Sequence, residues 1–493
     1  SLTADADGNV VVGSQAGAAI TSGAYNTLMG ANAGDSITDG TLNIIIGEAA
    51  GDATTSVQGA TIIGHNAARA NMTTGANYTV AIGKDSLKAL TIGAENIAIG
   101  YQAMLEHITG GSNIAIGYGA MNDTGVGSTS AGSISNVFIG KDAGGGTWVD
   151  AASNSNVGIG NFSMDAAMNG ALRNTGVGMY SLSAVVDAQD CTGLGNEAGD
   201  ALTSSVGSTA IGSKSLTACS TGNYNTALGF NAAPALTTGT RNISIGPFAM
   251  DAADGAEADN VAIGYNAMQS LNNDASIKNV AIGNYALDAT GTDNANQNVA
   301  VGHQAGTAVT DGYNNVLVGY QAGEALTTGD NNTLLGSGAA AGAVGAANQT
   351  AIGYACTAVN TDNSVTIGGA AVTRVHMSQD ADAVMYADGT INTSDERFKK
   401  DIEDSDLGLS FINSVRPVKY KFKSDKQGSK SRYGIVAQEV IEVLKAIDKE
   451  DFAGIETDNP ERLGADYVQF VAPLIKAVQE LSAKVGELEA KLK

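Results

Sequence analysis

The sequence predicts a mainly β fold, in which a long parallel β-solenoid or β-roll of about 17-residue coils precedes a small α+β domain that ends in a coiled coil. Three observations predict it. The pentapeptide Asn-(Val/Ile)-x-(Ile/Leu/Val)-Gly recurs along residues 9–370, glycine accounts for 64 of the 493 residues, and the last residues follow a heptad pattern. A short fixed period indicates a solenoid, because each repeat can bury its apolar face only against its neighbours.

The closing glycine of the pentapeptide marks the repeat, and it occurs 21 times between Gly13 and Gly368. Twelve of the 20 intervals are 17 residues long, and the others range from 15 to 23 residues. Each copy offers two short extended segments, and glycines such as Gly264 and Gly312 are suited to the two turns. Because parallel strands stack ~4.8 Å apart, 21 coils predict a rod on the order of 100 Å long.

The small side chains of the repeat predict that one coil buries little apolar area. A single chain would leave an apolar face in water, so we expect the array to oligomerise. The motif asparagines are predicted to hydrogen-bond within the roll. Met104, Met121, Met164, Met250 and Met268 share the position four residues after a closing glycine, which predicts packing at a corner of the roll or between chains.

The formal charge of −24 is concentrated in the array, since residues 1–393 carry −22 and residues 394–493 only −2. We expect no nucleic-acid partner, because phosphate backbones require basic patches. No apolar run reaches the ~18 residues of a membrane span, so we expect no membrane insertion. The scattered histidines predict no metal site and no cofactor. Cys191, Cys219 and Cys356 are predicted to fill the core as free thiols.

The irregular intervals are candidate binding loops, because a solenoid accommodates extra residues on its surface. The longest lies between Tyr118 and Gly140, and the next contains Trp148, the single tryptophan of the chain. An exposed tryptophan can stack on a sugar ring, which makes Trp148 a candidate ligand-binding residue. Alternatively, Trp148 caps a loop.

The composition divides the chain into a lead-in at 1–8, the shaft at 9–370, a neck at 371–393 and a C-terminal domain at 394–493, with a coiled coil at 467–493. Ser394 and Lys399 stand five residues apart at the last boundary. A serine needs a base to become a nucleophile, and a lysine kept neutral by burial can serve. The two are therefore candidates for a catalytic dyad.

The array resembles the head repeats of trimeric autotransporter adhesins, which form a left-handed parallel β-roll. The segments Asn260–Gly264 and Asn279–Gly283 carry that resemblance with the sequence Asn-Val-Ala-Ile-Gly. The period here is longer than the usual one in that family. The resemblance implies a trimeric roll.

The C-terminal domain is similar to the intramolecular chaperone of phage tailspikes, endosialidases and tail fibres. Four ordered segments carry this similarity: 394–402, 407–413, 416–418 and 434–440. It implies a domain that trimerises, helps the preceding β-structure to fold and then cuts itself off before its first serine. The implied nucleophile is Ser394, the general base is Lys399 and the scissile bond is Thr393–Ser394, so the enzyme activity is a single-turnover self-cleavage.

The heptads alternate valine or leucine at one core position with leucine at the other. Val471, Val478, Val485 and Leu492 occupy the first position, and Leu474, Leu481 and Leu488 the second. Valine at one core position and leucine at the other favour a coil of two helices when the coil is isolated, whereas the similarity to the phage chaperone implies a coil of three helices. We expect three, because tertiary context overrides the preference of a short coil.

These observations lead to the hypothesis of an extracellular, virion-borne phage tail fibre that forms a homotrimer and attaches to a host. The expected partners are a glycan or protein receptor on the host cell and a tail or baseplate adaptor at the N-terminus. A bacterial trimeric surface adhesin and a glycan-degrading tailspike are the alternatives. A glycan-degrading tailspike would need a pair of carboxylates in a catalytic setting, and no such pair is recognisable in the sequence.

Overall fold

The computed structural model describes residues 6–125, 129–271, 277–290, 295–373, 375, 399–421, 423, 430–457 and 463–492. The chain divides into two compact units, Ser1–Ala381 and Asp382–Lys493. The first contains the repeat array, and the second contains the C-terminal domain.

The repeat array is a parallel β-solenoid in which each coil contributes one three-residue strand to a single sheet of 21 strands. Successive strands pair in register, so that Ala262 lies opposite Ala281. The predicted mainly β fold, with a parallel β-solenoid of about 17-residue coils, is confirmed. The strands are β1 Val10–Val12, β2 Thr27–Met29, β3 Ile44–Ile46, β4 Thr61–Ile63, β5 Val80–Ile82, β6 Ile97–Ile99, β7 Ile114–Ile116, β8 Val137–Ile139, β9 Val157–Ile159, β10 Thr175–Val177, β11 Thr192–Leu194, β12 Thr209–Ile211, β13 Thr226–Leu228, β14 Ile243–Ile245, β15 Val261–Ile263, β16 Val280–Ile282, β17 Val299–Val301, β18 Val316–Val318, β19 Thr333–Leu335, β20 Thr350–Ile352 and β21 Val365–Ile367. Short 3-10 turns span Thr74–Ala76 and Ser130–Gly132.

A thin core of small and medium side chains fills the inside of the solenoid. The middle residue of almost every strand points inward, as Ala262 does, and the residues on either side of it face out. The alanine three residues after the closing glycine is also buried, for example Ala267. The five methionines of the repeat are fully buried, so they pack within the core of their own chain rather than between chains: Met104, Met121, Met164, Met250 and Met268.

Close contact between coils explains the two glycine positions of the repeat. The closing glycine Gly264 has a φ of +138°, and a Cβ added there would lie 2.6 Å from the backbone C and O of Gly283. Only glycine combines that backbone angle with that approach. The second glycine is required by proximity alone, since a Cβ on Gly312 would lie 2.3 Å from the carbonyl oxygen of Gly329.

The buried asparagine before each strand joins its coil to the next. Asn315 donates from its backbone N and its Nδ2 to Oδ1 of Asn298, at 3.0 and 3.1 Å. Its Nδ2 also donates to the carbonyl oxygen of Gly329 at 2.8 Å. The same arrangement recurs in most coils, which confirms the predicted hydrogen bonding within the roll. Apart from the last coil, five coils have another residue at the asparagine position: Ala60, Thr79, Cys191, Ser208 and Gln349.

The sequence predicted two extended segments per coil, but in the part of the array that the structure describes only the first forms a regular strand. The second side forms isolated parallel bridges, for example Leu172 with Gln189. Left-handed residues interrupt it, as Gln304 and Asn314 do with φ values of +56° each. Such residues bend the chain at several points, so no extended run persists there.

All three cysteines are buried and free, which confirms their predicted role as core residues: Cys191, Cys219 and Cys356. Burial raises the pKa of the Cys219 thiol to about 11. The thiol therefore stays protonated at neutral pH, and a protonated thiol is a poor nucleophile.

The second unit is a small α+β domain. Its two short sheets are antiparallel, one formed by β22 and β23 and the other by β24 and β25. In the described ranges no helix combines the length and the apolar character needed to cross a membrane. The elements are α1 Leu409–Ser414, β22 Val418–Tyr420, β23 Arg432–Gly434, α2 Ala437–Ala446, β24 Ile455–Glu456, β25 Gly464–Ala465, a 3-10 turn at Tyr467–Phe470 and α3 Val471–Lys491.

Candidate functional site

The C-terminal unit is built around a small aromatic core. Phe411 of α1, Phe452 after α2 and Phe470 before α3 contact one another, with ring centroids 5.2–6.1 Å apart. Leu407 and Leu444 complete this core, each less than a tenth exposed. Because residues from the whole unit meet here, the core positions α1, α2 and α3 relative to one another.

A carboxylate of α3 caps the first helix of this unit. Oε2 of Glu480 accepts a hydrogen bond from the backbone N of Leu409 at 2.8 Å. This satisfies one of the backbone donors that the start of a helix leaves unpaired. Gly408 makes the approach possible, since a Cβ there would lie 2.5 Å from Oε1 of Glu480. Sequence analysis missed Glu480, because 71 residues separate it from Leu409 and no motif joins them.

Two surface ion pairs join the segments on either side of α1 to α2 and to the residues just after α2. Arg416 donates from Nε to Oε2 of Glu439 at 2.9 Å, and its Nη2 also contacts Oε1. Nζ of Lys449 lies 2.5 Å from a carboxylate oxygen of Asp406. The hydrogen bond from Arg416 lowers the pKa of Glu439, and that from Lys449 lowers the pKa of Asp406.

A tyrosine after β25 fixes the start of the segment that leads into α2. The hydroxyl of Tyr467 accepts a hydrogen bond from the backbone N of Ile435 at 3.1 Å. A Cβ on Gly434 would lie 2.2 Å from that hydroxyl oxygen. The glycine of the Gly434–Val440 segment is therefore required by contact with Tyr467.

The family comparison matches this unit. Residues 394–449 match the family described as chaperone of endosialidase. The C-terminal unit is therefore similar to that family over residues 394–449. The similarity drawn from the four sequence segments is thus confirmed for this part of the chain. No curated protein and no solved structure matches the chain.

The C-terminal unit leaves an apolar stripe of α3 in contact with solvent. Val478 is 65% exposed and Leu488 is 61% exposed. The stripe consists of Val471, Leu474, Val478, Leu481, Val485, Leu488 and Leu492, all at least 46% exposed. The flank of the helix beside this stripe packs on the domain through Pro473 and Ala477, which are buried. The heptad positions of the sequence therefore form the solvent-exposed side of α3.

The predicted cleavage site of the chaperone domain lies mostly outside the described residues. Thr393 and Ser394 belong to the undescribed range 376–398. Lys399 is described and exposed to solvent. The distance between the predicted nucleophile and its predicted base is therefore not defined, and the dyad stays a prediction.

Trp148, the candidate sugar-stacking residue, is fully buried in the solenoid, so it lacks the exposure that stacking on a sugar requires. Its Nε1 donates to the carbonyl oxygen of Gly144 at 3.1 Å, and its ring packs edge-on against Phe138 at 5.9 Å. The interval between Gly140 and Gly160, which contains Trp148, therefore folds inward. Phe138 occupies the inward position of β8, and a Cβ on Gly158 in the next coil would lie 2.5 Å from it. Trp148 presents no face to a ligand.

An exposed row of aromatic rings lies elsewhere on the solenoid, which sequence analysis missed. Six consecutive coils place a ring one or two residues after the closing glycine, with neighbouring centroids 5.5–6.0 Å apart. We call these residues the aromatic row: Phe230, Phe248, Tyr265, Tyr285, His303 and Tyr320. Tyr265 is 40% exposed and Tyr320 is 54% exposed. Amide side chains adjoin the row, since Gln321 donates to Gln304 at 3.1 Å. The recurrence of a ring one or two residues after the closing glycine was a signal available in the sequence.

Proposed function

We propose that the chain is a tail fibre or tailspike-like protein of a phage virion, in which the C-terminal domain assembles three copies before the β-solenoid shafts acquire their final register. The observation that carries the proposal is the exposed apolar stripe of α3 on a domain of the chaperone-of-endosialidase family. Heptad stripes are typical of helices that associate with identical helices. The β-solenoid upstream is the structure that such a chaperone would serve.

The repeat explains why the shaft would need a chaperone. Coils of nearly identical sequence can pair out of step, and parallel pairing brings together residues that are distant along the chain. A domain that holds three chains at one end would give them a common starting point. We expect a chain lacking residues 394–493 to yield an insoluble or misregistered shaft. A soluble, trimeric shaft made without those residues would refute the chaperone role.

Assembly through α3 can be tested with one charged substitution. Leu481→Lys places an ammonium within the apolar stripe, and Ala483→Lys places the same group on an exposed position of α3 outside it. We expect sedimentation of the full chain to give trimers for the natural sequence and for Ala483→Lys. Leu481→Lys is expected to give monomers or aggregates. Equal trimer yields from both variants would exclude the stripe as the assembly surface.

We further propose that the trimer cuts the Thr393–Ser394 bond, with Ser394 as nucleophile and Lys399 as general base. In the attack, Ser394 Oγ adds to the carbonyl carbon of Thr393 and its proton passes to neutral Lys399. The Thr393–Ser394 C–N bond then breaks, and the Ser394 nitrogen leaves as an amine that takes the proton back from Lys399, so that the Thr393 acyl group is an ester on Ser394 Oγ. Water hydrolyses this ester to the carboxylate of Thr393 and the hydroxyl of Ser394. The support is the family match, which begins at residue 394, together with the Ser-Lys pair. Denaturing gels of folded protein should show a product of residues 1–393. Ser394→Ala and Lys399→Ala should abolish it, whereas Lys400→Ala should retain it.

Surface binding is the role proposed for the shaft, and its support is the aromatic row. Exposed rings beside amide groups are suited to stacking on neutral sugar rings, and the acidic array disfavours anionic ligands. We expect glycan-array binding to weaken in Tyr265→Ser. Tyr354→Ser removes an aromatic ring outside the row, 81% exposed, and should leave binding unchanged. Release of shortened glycan would instead favour the tailspike alternative. Binding only to a host protein would replace the glycan by a protein receptor.

A further inference from the structure

The outward face of the 21-stranded sheet is uncharged and mainly apolar along its whole length. In every strand the first residue is valine, isoleucine or threonine, and the third is isoleucine, leucine, valine or methionine. Each of these side chains is half-buried or exposed, whereas the residue between them points into the core in almost every strand. Neither row contains a charged residue, although the array as a whole has a net charge of −22. We call the two rows together the sheet face.

The sheet face is too large and too uniform to be ordinary monomer surface. Ile282 is 38% exposed, Leu335 45% and Ile352 37%, and comparable side chains repeat in each coil. With strands ~4.8 Å apart and ~3.3 Å per residue along a strand, the face covers roughly 1,000 Å². Soluble monomers rarely expose contiguous apolar patches beyond a few hundred Å². A surface of this size matches the ~800 Å² that each partner buries in a stable interface.

We infer that the sheet face is the interface along which copies of this chain pack against one another, so that the shafts contact each other over their length. This inference rests on the proposed trimer and specifies the surface that the trimer buries. A second copy fits because a partner must be equally long and equally apolar, and must repeat with the same spacing. The exposed stripe of α3 in the same chain points to association with identical chains as well.

The sequence pattern of the face suits parallel copies at the same height. Threonine methyls and the β-branched side chains of the first row have few rotamers, so little side-chain entropy is lost when they pack. The charged residues of the array lie outside the sheet face, where self-association leaves them in water. A foreign protein would need an apolar surface on the order of 100 Å long to cover the same rows.

The experiment compares cross-linking at three engineered cysteines in the full chain, with Ser394→Ala to keep the chain whole. Ile263→Cys lies on the sheet face, Leu488→Cys on the stripe of α3, and Ser270→Cys in an exposed turn of the solenoid that follows β15. The three natural cysteines are buried and provide a low background. A short bis-maleimide is applied to folded protein, and the products are separated under denaturing conditions.

Cross-linked dimers and trimers at Ile263→Cys and Leu488→Cys, with none at Ser270→Cys, are the expected result. Cross-linking at Leu488→Cys alone would overturn the sheet-face interface while leaving the trimer of the proposed function intact. Cross-linking at neither position, with monomers in sedimentation, would overturn both. Equal cross-linking at Ser270→Cys and Ile263→Cys would indicate random collision and would also overturn the interface.

A second measurement keeps the test valid if cross-linking geometry is unfavourable at one position. A monofunctional maleimide should label Ile263→Cys at least about tenfold more slowly than Ser270→Cys in the folded protein. Both should label at the same rate after denaturation. Equal labelling rates in folded trimers would show that the sheet face is open to solvent, which contradicts the inference. Val280→Cys, on the first row of the next strand, repeats the comparison should Ile263→Cys fail to fold.

Discussion

Oδ1 of Asn260 accepts two hydrogen bonds from Asn279, one from the backbone N at 2.9 Å and one from Nδ2 at 3.2 Å. Asn279 in turn accepts from the backbone N of Asn298 at 3.0 Å, and its Nδ2 donates to the carbonyl oxygen of Ala295 at 2.8 Å. All three asparagines are fully buried. Each one therefore satisfies polar groups of the coils on both sides.

Asn279→Ala should weaken the solenoid by about 3 kcal/mol, because buried groups of Asn298 and Ala295 lose their partners and water cannot replace them. Hydrogen exchange should speed up at the backbone N of Asn298 and the urea midpoint should fall. Cys191→Ala is the matched control, since that position already lacks an asparagine and its backbone N still donates to Asn174. Equal losses in the two variants would show that the asparagine amide adds nothing beyond volume.

Gly264→Ala should prevent correct stacking of its coil. The new Cβ would meet the Gly283 backbone at 2.6 Å, and alanine would also have to adopt a φ of +138°. We expect a loss of more than about 3 kcal/mol, seen as reduced soluble yield and a lower melting temperature. Gly132→Ala should be neutral, because the nearest atom to its Cβ would be Thr109 Oγ1 at 3.7 Å. A fully stable Gly264→Ala protein would contradict the packing described above.

Removing the cap on α1 should weaken the chaperone domain. Glu480→Ala leaves the backbone N of Leu409 without its acceptor, at a cost of about 1 kcal/mol. Glu480→Gln retains an acceptor oxygen and should lose less. Glu487→Ala, on an exposed turn of the same helix, serves as control. Trimer yield on refolding should fall in the order Glu487→Ala, Glu480→Gln, Glu480→Ala, and the reverse order would show that the contact with Leu409 is incidental.

The stability of the solenoid should depend on the protonation of Asp165. Burial raises its pKa to about 6 from an ordinary value of 3.8, and the carboxylates of Asp200 and Asp142 add to the shift. The folded state thus holds this proton more tightly than the unfolded state, so its contribution to stability grows as pH falls from about 6 to about 4. Above pH 6 the folded state carries the unfavourable charge.

Asp165→Asn should therefore stabilise the protein at pH 7 by about 1 kcal/mol, after allowance for solvent screening at a half-exposed group, and should have no effect near pH 4. Thermal unfolding at the two pH values measures the difference. Asp187→Asn, which replaces an exposed carboxylate of a neighbouring coil, is the matched control. A stabilisation that is equal at both pH values would rule out the titration of Asp165 as its cause.

Sequence periodicity was sufficient to predict the solenoid, because the closing glycine and the motif asparagine each have one local function in every coil. It failed where the outcome depended on packing between coils. Trp148 lies in an irregular interval of the repeat. Its ring turns inward and packs on Phe138, and Phe138 fits only because the facing residue of the next coil is the small Gly158. The contact between Glu480 and Leu409 was equally hidden, since it depends on how α3 returns to α1. The outward direction of the β-branched rows became clear only from the strand burial.

Phe138 distinguishes its coil from the other coils of the shaft, which are otherwise similar to one another. Its ring fills the inward slot of β8, and the three strands that follow hold glycine in that slot, at Gly158, Gly176 and Gly193. A folding chain that skipped a coil would press the ring against an alanine or leave the space beside a glycine empty, and both errors are unfavourable. The bulky ring and the three glycines that follow it thus specify the register in which these coils pair, although most coils of the repeat are nearly interchangeable.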